Sequence, residues 1–401
     1  MSETAQVRAT HASPQQRELP SGWRWVKLGE VCEIIAGQSP PGSTYRTSPE
    51  GLPFFQGKAD FGLLNPVPRV WCVEPNKIAN PGDILISVRA PVGPTNVANM
   101  KCCIGRGLAA IQCGGKVDSD FILAALRRFE NKLVQKGSGS TFEAISRDDL
   151  EKLAIPLPPL IEQRRIAGVL REQMAVVEKA RAAAQGRLEA VKALPAAFLR
   201  HVFPQLGQPL PAGWRWVKLG EVCEFLDHRR KPINEVERAK RNEGKRAEDL
   251  YPYYGANGQA GWIDDYLFDE PLILLAEDGG AFGSADTPIA YKVEGKTWVN
   301  NHAHVLRPRN GVDFDYCLAS ISIRPDLANL ATGNTRPKLN QALAAGIPIP
   351  LPPLAEQRRI AGVLREQMAA EEKARAAAEE ELNTINALPA ALLHRAFNGE
   401  I

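Results

Sequence analysis

The sequence predicts an α+β protein that is built twice, with two mixed globular domains and two long helices that pair as a coiled coil. Residues 158–174 recur as 352–368 with a single substitution, and residues 19–33 recur as 210–224, also with one. The unlike stretches between these copies carry short apolar runs punctuated by Gly and Pro, which is typical of short strands. The repeat is far longer than a solenoid period, so it indicates a domain duplication.

Length and composition are those of an ordinary globular protein with room for two or three domains. The chain has 401 residues, of which 44% are hydrophobic and 24% charged, and its net charge is +3. The seven cysteines are odd in number and form no C-x-x-C pair, so we interpret them as buried thiols of a reducing compartment. The polar residues 1–18 predict a disordered tail without a signal peptide, and no apolar run reaches the ~20 residues of a membrane span. We therefore expect a cytoplasmic protein.

The long helices follow from an apolar stripe at 3–4 residue spacing after each Pro-Pro pair. Proline is tolerated in the first turn, and we expect Pro195 and Pro389 to break or kink each helix after about 34 residues, or roughly 50 Å. Two matching stripes of this length favour pairing with each other, in a pseudo-twofold arrangement. The alternative is that each helix lies on its own domain.

The variable stretches are interpreted as mixed domains. Alternating Trp23, Trp25, Trp214 and Trp216 are expected in their cores. The predicted strands and helices are as follows: strands at Ile84–Val88, Leu108–Ile111, Leu272–Leu275 and Thr297–Val299, and helices at Asp120–Val134 and Phe314–Ile323.

Two motifs carry a family resemblance. Leu-Pro-x-Gly-Trp-x-Trp-Val-x-Leu-Gly-Glu-Val stands at 19–31 and 210–222, and Ile-Pro-Leu-Pro-Pro-Leu-x-Glu-Gln-Arg-Arg-Ile stands at 155–166 in a form that recurs at 349–360. With their order and duplication, they make the chain resemble the specificity subunit of type I restriction-modification systems. The resemblance covers nearly all of the chain after residue 18.

The resemblance implies two target recognition domains, each reading one half of a bipartite, asymmetric DNA sequence, and an antiparallel coiled coil that sets the distance between the half-sites. It also implies docking of two modification (methyltransferase) subunits and, through them, two restriction (translocase and endonuclease) subunits. S-adenosylmethionine, ATP and Mg²⁺ would belong to those partners, with no cofactor or catalysis here. The implied boundaries are a tail at 1–18, recognition domains at 19–157 and 204–351, and helices at 158–203 and 352–401.

Two other interpretations stay open at this point. In a type IIB-like system, modification and cleavage share one partner, and a separate translocase gene nearby would distinguish type I from it. In the other, the chain is a protein-binding scaffold whose helices only dimerise. Selection of DNA from random pools separates this scaffold from a DNA reader.

Signatures of catalysis are missing from the sequence. It has no Asn-Pro-Pro-aromatic methyltransferase motif, and Gly295-Lys296-Thr297 lacks the glycine of a P-loop because Ala290 stands there. His302 and His304 have the spacing of metal ligands on a strand, but we favour packing or hydrogen bonding since no ligand cluster accompanies them. Glu277-Asp278 is interpreted as a turn with solvated carboxylates.

The candidates for DNA contact are Gly-, Ser- and Asn-rich loops just before each repeated helix, and similar loops recur in the family. Their amides and cations suit phosphates, and Asn or Arg can reach base edges; the alternative is a solvated turn. These candidates are Lys136, Ser138, Ser140, Thr141, Asn334, Thr335, Arg336, Lys338 and Asn340, with Arg89, Arg106 and Asn257 as a second group.

Two further sets of charges are ambiguous. Arg164, Arg165, Arg358 and Arg359 could dock the partner subunits or could lie on a solvated helix face. The basic run from Arg229 to Arg246 is interleaved with glutamates, and we favour a solvated segment over a phosphate-contacting flap.

Overall fold

A computed structural model describes residues 19–137, 144–329 and 337–401, so the predicted tail at 1–18 lies outside the described residues. The chain divides into two compact units, Met1–Ala183 with Leu382–Ile401, and Ala184–Glu381. Each unit therefore contains one variable stretch and parts of both long helices.

The elements of the first unit run from β1 to the first long helix. They are β1 (Arg24–Lys27), α1 (Leu28–Val31), β2 (Cys32–Ala36), β3 (Tyr45–Arg46), β4 (Leu52–Phe55), β5 (Trp71–Cys72), β6 (Ile78–Ala79), β7 (Ile84–Ser87), β8 (Thr95–Val97), β9 (Cys102–Ile104), β10 (Leu108–Cys113), α2 (Ser119–Arg128), α3 (Glu130–Gly137), α4 (Arg147–Glu151), β11 (Ala154–Leu157) and α5 (Leu160–Lys192).

The remaining elements follow the same plan. They are α6 (Leu194–Val202), β12 (Arg215–Lys218), α7 (Leu219–Val222), β13 (Cys223–Phe225), α8 (Glu235–Asn242), β14 (Tyr251–Gly255), β15 (Gly258–Ile263), β16 (Phe268–Asp269), β17 (Leu272–Ala276), β18 (Ala290–Val293), β19 (Lys296–Val299), β20 (Ala303–Pro308), α9 (Phe314–Ser322), α10 (Gln341–Ala345), β21 (Pro348–Leu351) and α11 (Leu354–Phe397).

The two units share one sheet topology. The first has a sheet in the order β2-β10-β7-β8, and the second repeats it as β13-β20-β17-β18. A two-stranded ribbon, β1-β11 or β12-β21, joins the repeated Trp segment to the strand before each long helix. A further sheet, β3-β5-β4-β9-β6 or β15-β14-β19-β16, contains one parallel pair in each unit. The strands and the helix predicted at Phe314–Ile323 are confirmed. The single helix predicted at Asp120–Val134 is instead two helices, α2 and α3, because α2 ends at its C-cap, Phe129.

The strand registers give the equivalent positions in the two units. Cys113 of β10 faces Cys32, and Pro308 of β20 faces Cys223, which is the copy of Cys32 in the repeated segment. Counting along both strands, Ala109 and His304 occupy the same place. Unlike residues therefore stand at equivalent positions on a common frame.

The long helices pack both on the domains and on each other. In the first core the start of α5 contributes Ile166 and Leu170, while the end of α11 contributes Leu393 and Phe397. In the second core, the start of α11 packs where the start of α5 packs in the first, and Leu199 of α6 takes the place of the end of α11. Both arrangements that the apolar stripe left open therefore occur.

The pairing of the long helices is antiparallel. Arg165 donates to the carbonyl of Ile401 over 2.6 Å, and Arg181, further along α5, donates to Asn386, which lies earlier in α11. The fold class predicted from the sequence, two mixed domains with paired long helices, is confirmed.

Two details differ from the prediction. Pro195 begins a new helix, α6, as expected, whereas Pro389 does not break its helix and lies inside a continuous α11. Burial of Leu393 and Phe397 beyond the proline stabilises those turns and offsets the lost backbone hydrogen bond. Trp25 is 42% exposed, because the neighbouring Val26 faces the core and side chains alternate along a strand.

The cysteines lie mostly in the protein interior. Six of the cysteines are buried, and Cys113 is half-buried. Among the described residues, no helix combines the length and the apolar character that a membrane crossing requires.

Candidate nucleic-acid interface

Arg89 and Arg106 lie on adjacent backbone segments at one corner of the first unit. Arg89 forms a β-bridge with Ala144, the first described residue after segment 138–143. Next to it, the backbone N–H of Val88 donates to the carbonyl of Gly107, in the turn that carries Arg106, over 3.0 Å. Both arginine side chains are exposed. We call Val88, Arg89, Arg106 and Ala144 the first corner.

The backbone fixes the first corner. The N–H of Ile145 donates to the carbonyl of Val88 over 2.9 Å, and the Ser87 hydroxyl donates to the carbonyl of Arg89 over 3.0 Å. Lys136 is exposed in the last turn of α3, just before the segment. Ser138, Ser140 and Thr141 lie outside the described residues. The structure thus places Arg89 and Arg106 beside one end of the predicted loop. Sequence reasoning treats these two arginines and the loop as separate candidates.

The second unit builds the same corner with different residues. Asp278 forms a β-bridge with Lys338, and the N–H of Leu339 donates to the carbonyl of Glu277 over 2.7 Å. We call Glu277, Asp278, Asn301 and Lys338 the second corner, in which Asn301 stands where Arg106 stands in the first unit. Asn301 is exposed. Sequence reasoning missed it, and only the equivalence of the two frames identifies it.

The side chains of Lys338 and Asn340 have structural partners. The Lys338 ammonium lies 3.1 Å from the Glu277 carboxylate. Asn340 accepts from the N–H of Leu343 over 3.0 Å and so caps α10. Asn334, Thr335 and Arg336 fall on the undescribed segment 330–336.

Asn257 lies close to the second corner. Its side-chain amide donates to the carbonyl of Gly279 over 3.0 Å. Tyr254, Tyr291 and Asn257 line a cleft of ≈710 Å³ beside Gly279 and Gly280. Aromatic and amide side chains around an open cleft suit contact with base edges.

A buried ion-pair network supports the second corner. His304 is fully buried, and its Nδ1 lies 2.6 Å from Asp227, while its Nε2 lies 2.7 Å from the carbonyl of Leu339. Arg230 donates to Glu277 over 2.8 Å and lies 3.3 Å from Asp227. The interpretation of His304 as a hydrogen-bonding residue is confirmed.

The carboxylates of this network are held ionised. Burial is the largest single effect and raises the pKa of Asp227, but the contacts with His304, the N–H of Val305 and the charge of Arg230 together lower it overall. Burial likewise acts on Glu277, and its hydrogen bonds to Arg230 and Lys338 lower its pKa overall.

The same three side chains have a spacing that a metal ion could use. Ligand atoms of Asp227, Glu277 and His304 lie within 4.8 Å of one another. However, Arg230 and Lys338 already occupy their carboxylate oxygens, and His304 points both ring nitrogens at oxygen acceptors. The donor set therefore fits internal ion pairs rather than a cation site.

The basic run of the second unit is less solvated than predicted. The Arg230 side chain is only 13% exposed, and Arg238 and Arg241 lie over the rings of Tyr253 and Trp298 at 4.5 and 4.9 Å. Cation–π contact and ion pairing draw these side chains onto the domain. Sequence reasoning could not foresee this, because the rings lie on distant strands.

The predicted docking arginines are exposed in both copies. Arg165 pairs with Glu162 and Arg359 with Glu356, both at 2.7 Å within their own helices. Gln163 and Gln357, their neighbours, are instead 1% exposed. The repeated motif thus combines a buried amide with an outward basic face.

Two copies of one frame whose corners carry unlike residues define a duplicated recognition protein. The family model of the type I restriction modification DNA specificity domain matches the chain twice, at residues 20–179 and 211–378. The chain belongs to this family of type I restriction-modification DNA specificity subunits, and the resemblance drawn from the sequence is confirmed.

Individual relatives agree with the family model. The chain is similar to a putative type I restriction enzyme MjaX specificity subunit of Methanocaldococcus jannaschii, with 48% identity over 38% of this chain and 37% of that protein. That match spans less than two thirds of the relative. The type I restriction enzyme EcoDI specificity subunit of Escherichia coli is 22% identical over 96% of this chain and 90% of its own length.

A solved structure shows the same fold. It is described as the structural basis underlying complex assembly and conformational transition of the type I R-M system. The TM-score is 0.78 at 23% identity, covering 96% of this chain and all of the other.

Proposed function

We propose that the chain is the DNA sequence-specificity subunit of a type I restriction-modification complex and binds a bipartite, asymmetric DNA site. Its recognition domains are residues 19–157 and 204–351, each reading one half-site. The helical segments 158–203 and 352–401 act as the spacer between them. The subunit directs chemistry that its partners perform.

The observation that carries this proposal is the contrast between the two corners. The specificity-domain frame is kept in both units, while Arg89 and Arg106 in the first are replaced by Asp278 and Asn301 in the second. Exposed arginines suit guanine or phosphate, whereas the exposed amide of Asn301 suits adenine. Unlike readers on like frames give a site whose halves differ.

The partners follow from the family and from the exposed motif. Two methyltransferase subunits would dock on the repeated helices, with Arg164, Arg165, Arg358 and Arg359 as the candidate contacts. Restriction subunits would join through them, and S-adenosylmethionine, ATP and Mg²⁺ would act within those partners. Such a complex works on DNA in the cytoplasm.

Selection from random DNA tests the proposal directly. The full chain, assembled with its methyltransferase subunit, should enrich one two-part motif with a fixed gap, with affinity that falls steeply as salt rises. Exchanging residues 225–349 for the same stretch of another member should change one half of the motif only. Absence of any enriched motif, or a change in both halves, would contradict the proposal.

A further inference from the structure

His304 links the floor of the second corner to the segment that follows residues 330–336. Its two ring nitrogens face Asp227 and the carbonyl of Leu339, at 2.6 and 2.7 Å. A carbonyl only accepts hydrogen bonds, and the ionised Asp227 does the same. The ring therefore lies between two oxygen atoms and connects Asp227 to the backbone of Leu339.

Charged and aromatic side chains surround the His304 ring. Asp227 and Glu277 supply carboxylates, the latter 3.7 Å from Nδ1, and the edge of Phe225 packs on the ring at 5.8 Å between centroids. Arg230 bridges both carboxylates, and it also donates to the carbonyl of Ala303 over 2.7 Å. Because nearly all of these groups are buried, loss of one member leaves another unpaired at high cost.

Residues 337–340 are held by this network at several points. Leu339 receives the His304 hydrogen bond, and its own N–H donates to Glu277. Lys338 pairs with the Glu277 side chain, and its backbone bridges Asp278. The segment that leaves the predicted DNA-contacting loop is therefore fixed by charged side chains as well as by backbone pairing.

The first unit keeps the backbone pairing but lacks these charges. Strand registers place Ala109 where His304 stands. Counting on past the strand ends, Val88 corresponds to Glu277 and Ala36 to Asp227. The backbone bonds Ile145 to Val88 and Leu339 to Glu277 are equivalent. The network is thus an addition of the second unit to a common frame, since the frame forms without it.

We propose that Asp227, Arg230, Glu277 and His304 form a positioning network that fixes residues 337–340 and so sets the sequence specificity of the second recognition domain alone. None of the four needs to touch DNA. The network acts through Lys338 and Leu339, whose backbone pairs with Asp278 and Glu277. This inference rests on the proposed DNA-reading function and names the residues on which one half-site depends.

The test compares His304→Ala with wild type in the assembled complex. The variant places in the second unit the residue that the first unit has at the equivalent position. In selection from random DNA, enrichment of the half-site read by the second domain should fall at least about tenfold, roughly the discrimination carried by one base pair. The other half-site and the gap should be unchanged. Equal loss at both half-sites, or at neither, would overturn the inference.

A matched variant separates positioning from simple destabilisation. Val293→Ala removes buried methyl groups from β18 in the same unit, where Val293 is 3% exposed. It should lower the melting temperature while leaving both half-sites intact. If Val293→Ala lowers the enrichment of the second half-site as much as His304→Ala does, the network only stabilises the fold and does not position residues 337–340.

Hydrogen exchange gives a readout that needs no DNA. In His304→Ala, the amides of Leu339 and Leu343 should exchange faster, while that of Ile145 in the first unit should not change. Unchanged exchange at Leu339 would contradict the positioning role. A further outcome is that wild type selects no two-part motif while the amide of Leu339 still exchanges faster in His304→Ala. That result would refute the DNA-reading proposal but not the role of the network in fixing residues 337–340.

Discussion

The side-chain oxygen of Gln163 accepts the backbone N–H of Asp118 over 2.9 Å. The same glutamine donates to the carbonyl of Pro158 over 2.9 Å. Asp118 in turn caps α2 by accepting from Phe121. The second copy repeats the arrangement with Gln357 and Asp313 at 2.8 Å. One buried amide therefore ties the repeated Pro-Pro turn to a capped helix of the domain.

Gln163→Ala is expected to destabilise the first unit by about 2–3 kcal/mol, because it leaves the half-buried N–H of Asp118 and the buried carbonyl of Pro158 without this partner. Gln357→Ala should cost the second unit a similar amount. Chemical denaturation of each variant measures both values. Arg171→Ala is the control, since its pair with Asp120 is exposed and should be worth under about 1 kcal/mol. A glutamine variant that loses no more stability than Arg171→Ala would refute the stabilising role of the buried amide.

Arg187 and Glu381 occupy equivalent positions in the two copies of the helix, and they pair with each other. The antiparallel arrangement brings these positions together, so identical residues would place like charges side by side. Glu381→Arg should lower stability by less than about 1 kcal/mol, since both side chains are about half exposed. Arg187→Glu combined with Glu381→Arg should restore it. A double variant no better than the single one would show that the pair contributes nothing.

Acid should unfold the second unit through its buried carboxylates. The pKa values of Asp227 and Glu277 are lowered in the folded state. Their stabilisation is therefore complete above the ordinary carboxyl range and is lost as pH falls below about 4. Thermal melts between pH 7 and 3 should show a steeper loss for wild type than for Asp227→Asn. If the melting temperatures of wild type and Asp227→Asn fall equally with pH, Asp227 does not drive acid unfolding.

Cys102 should resist alkylation in the native protein. It is fully buried, and burial together with the neighbouring Cys103 raises its pKa to about 12. At pH 8 only about one thiol in ten thousand is then ionised, and the thiolate is the reactive form. Mass spectrometry after iodoacetamide treatment should find it unmodified natively and modified in urea. Native labelling of Cys102 at the unfolded rate would contradict its burial.

The repeated segments and the strands of the variable stretches could be predicted from the sequence, because apolar period and duplication are local signals. The corners could not. Arg89 meets Ala144 through a β-bridge, and His304 meets Leu339 through a side-chain hydrogen bond, and both contacts join segments far apart in the chain. Gln163 could not be predicted either, because a polar residue beside Arg164 in a basic helix motif gives no sign that it is buried.

Lengthening both helices tests the proposed role of the coiled coil as a spacer. Seven residues added after Ala183 and after Glu381 preserve the apolar stripe, since a heptad nearly matches two helical turns. The insertion adds about 10 Å to each helix, which corresponds to at most about three base pairs at roughly 3.4 Å each. The selected motif should keep both half-sites and gain a longer gap. A heptad in α5 alone is the control, because it shifts one helix against the other and should abolish assembly with the methyltransferase subunit. An unchanged gap in the double insertion, or altered half-site bases, would show that the helices do not set the spacing.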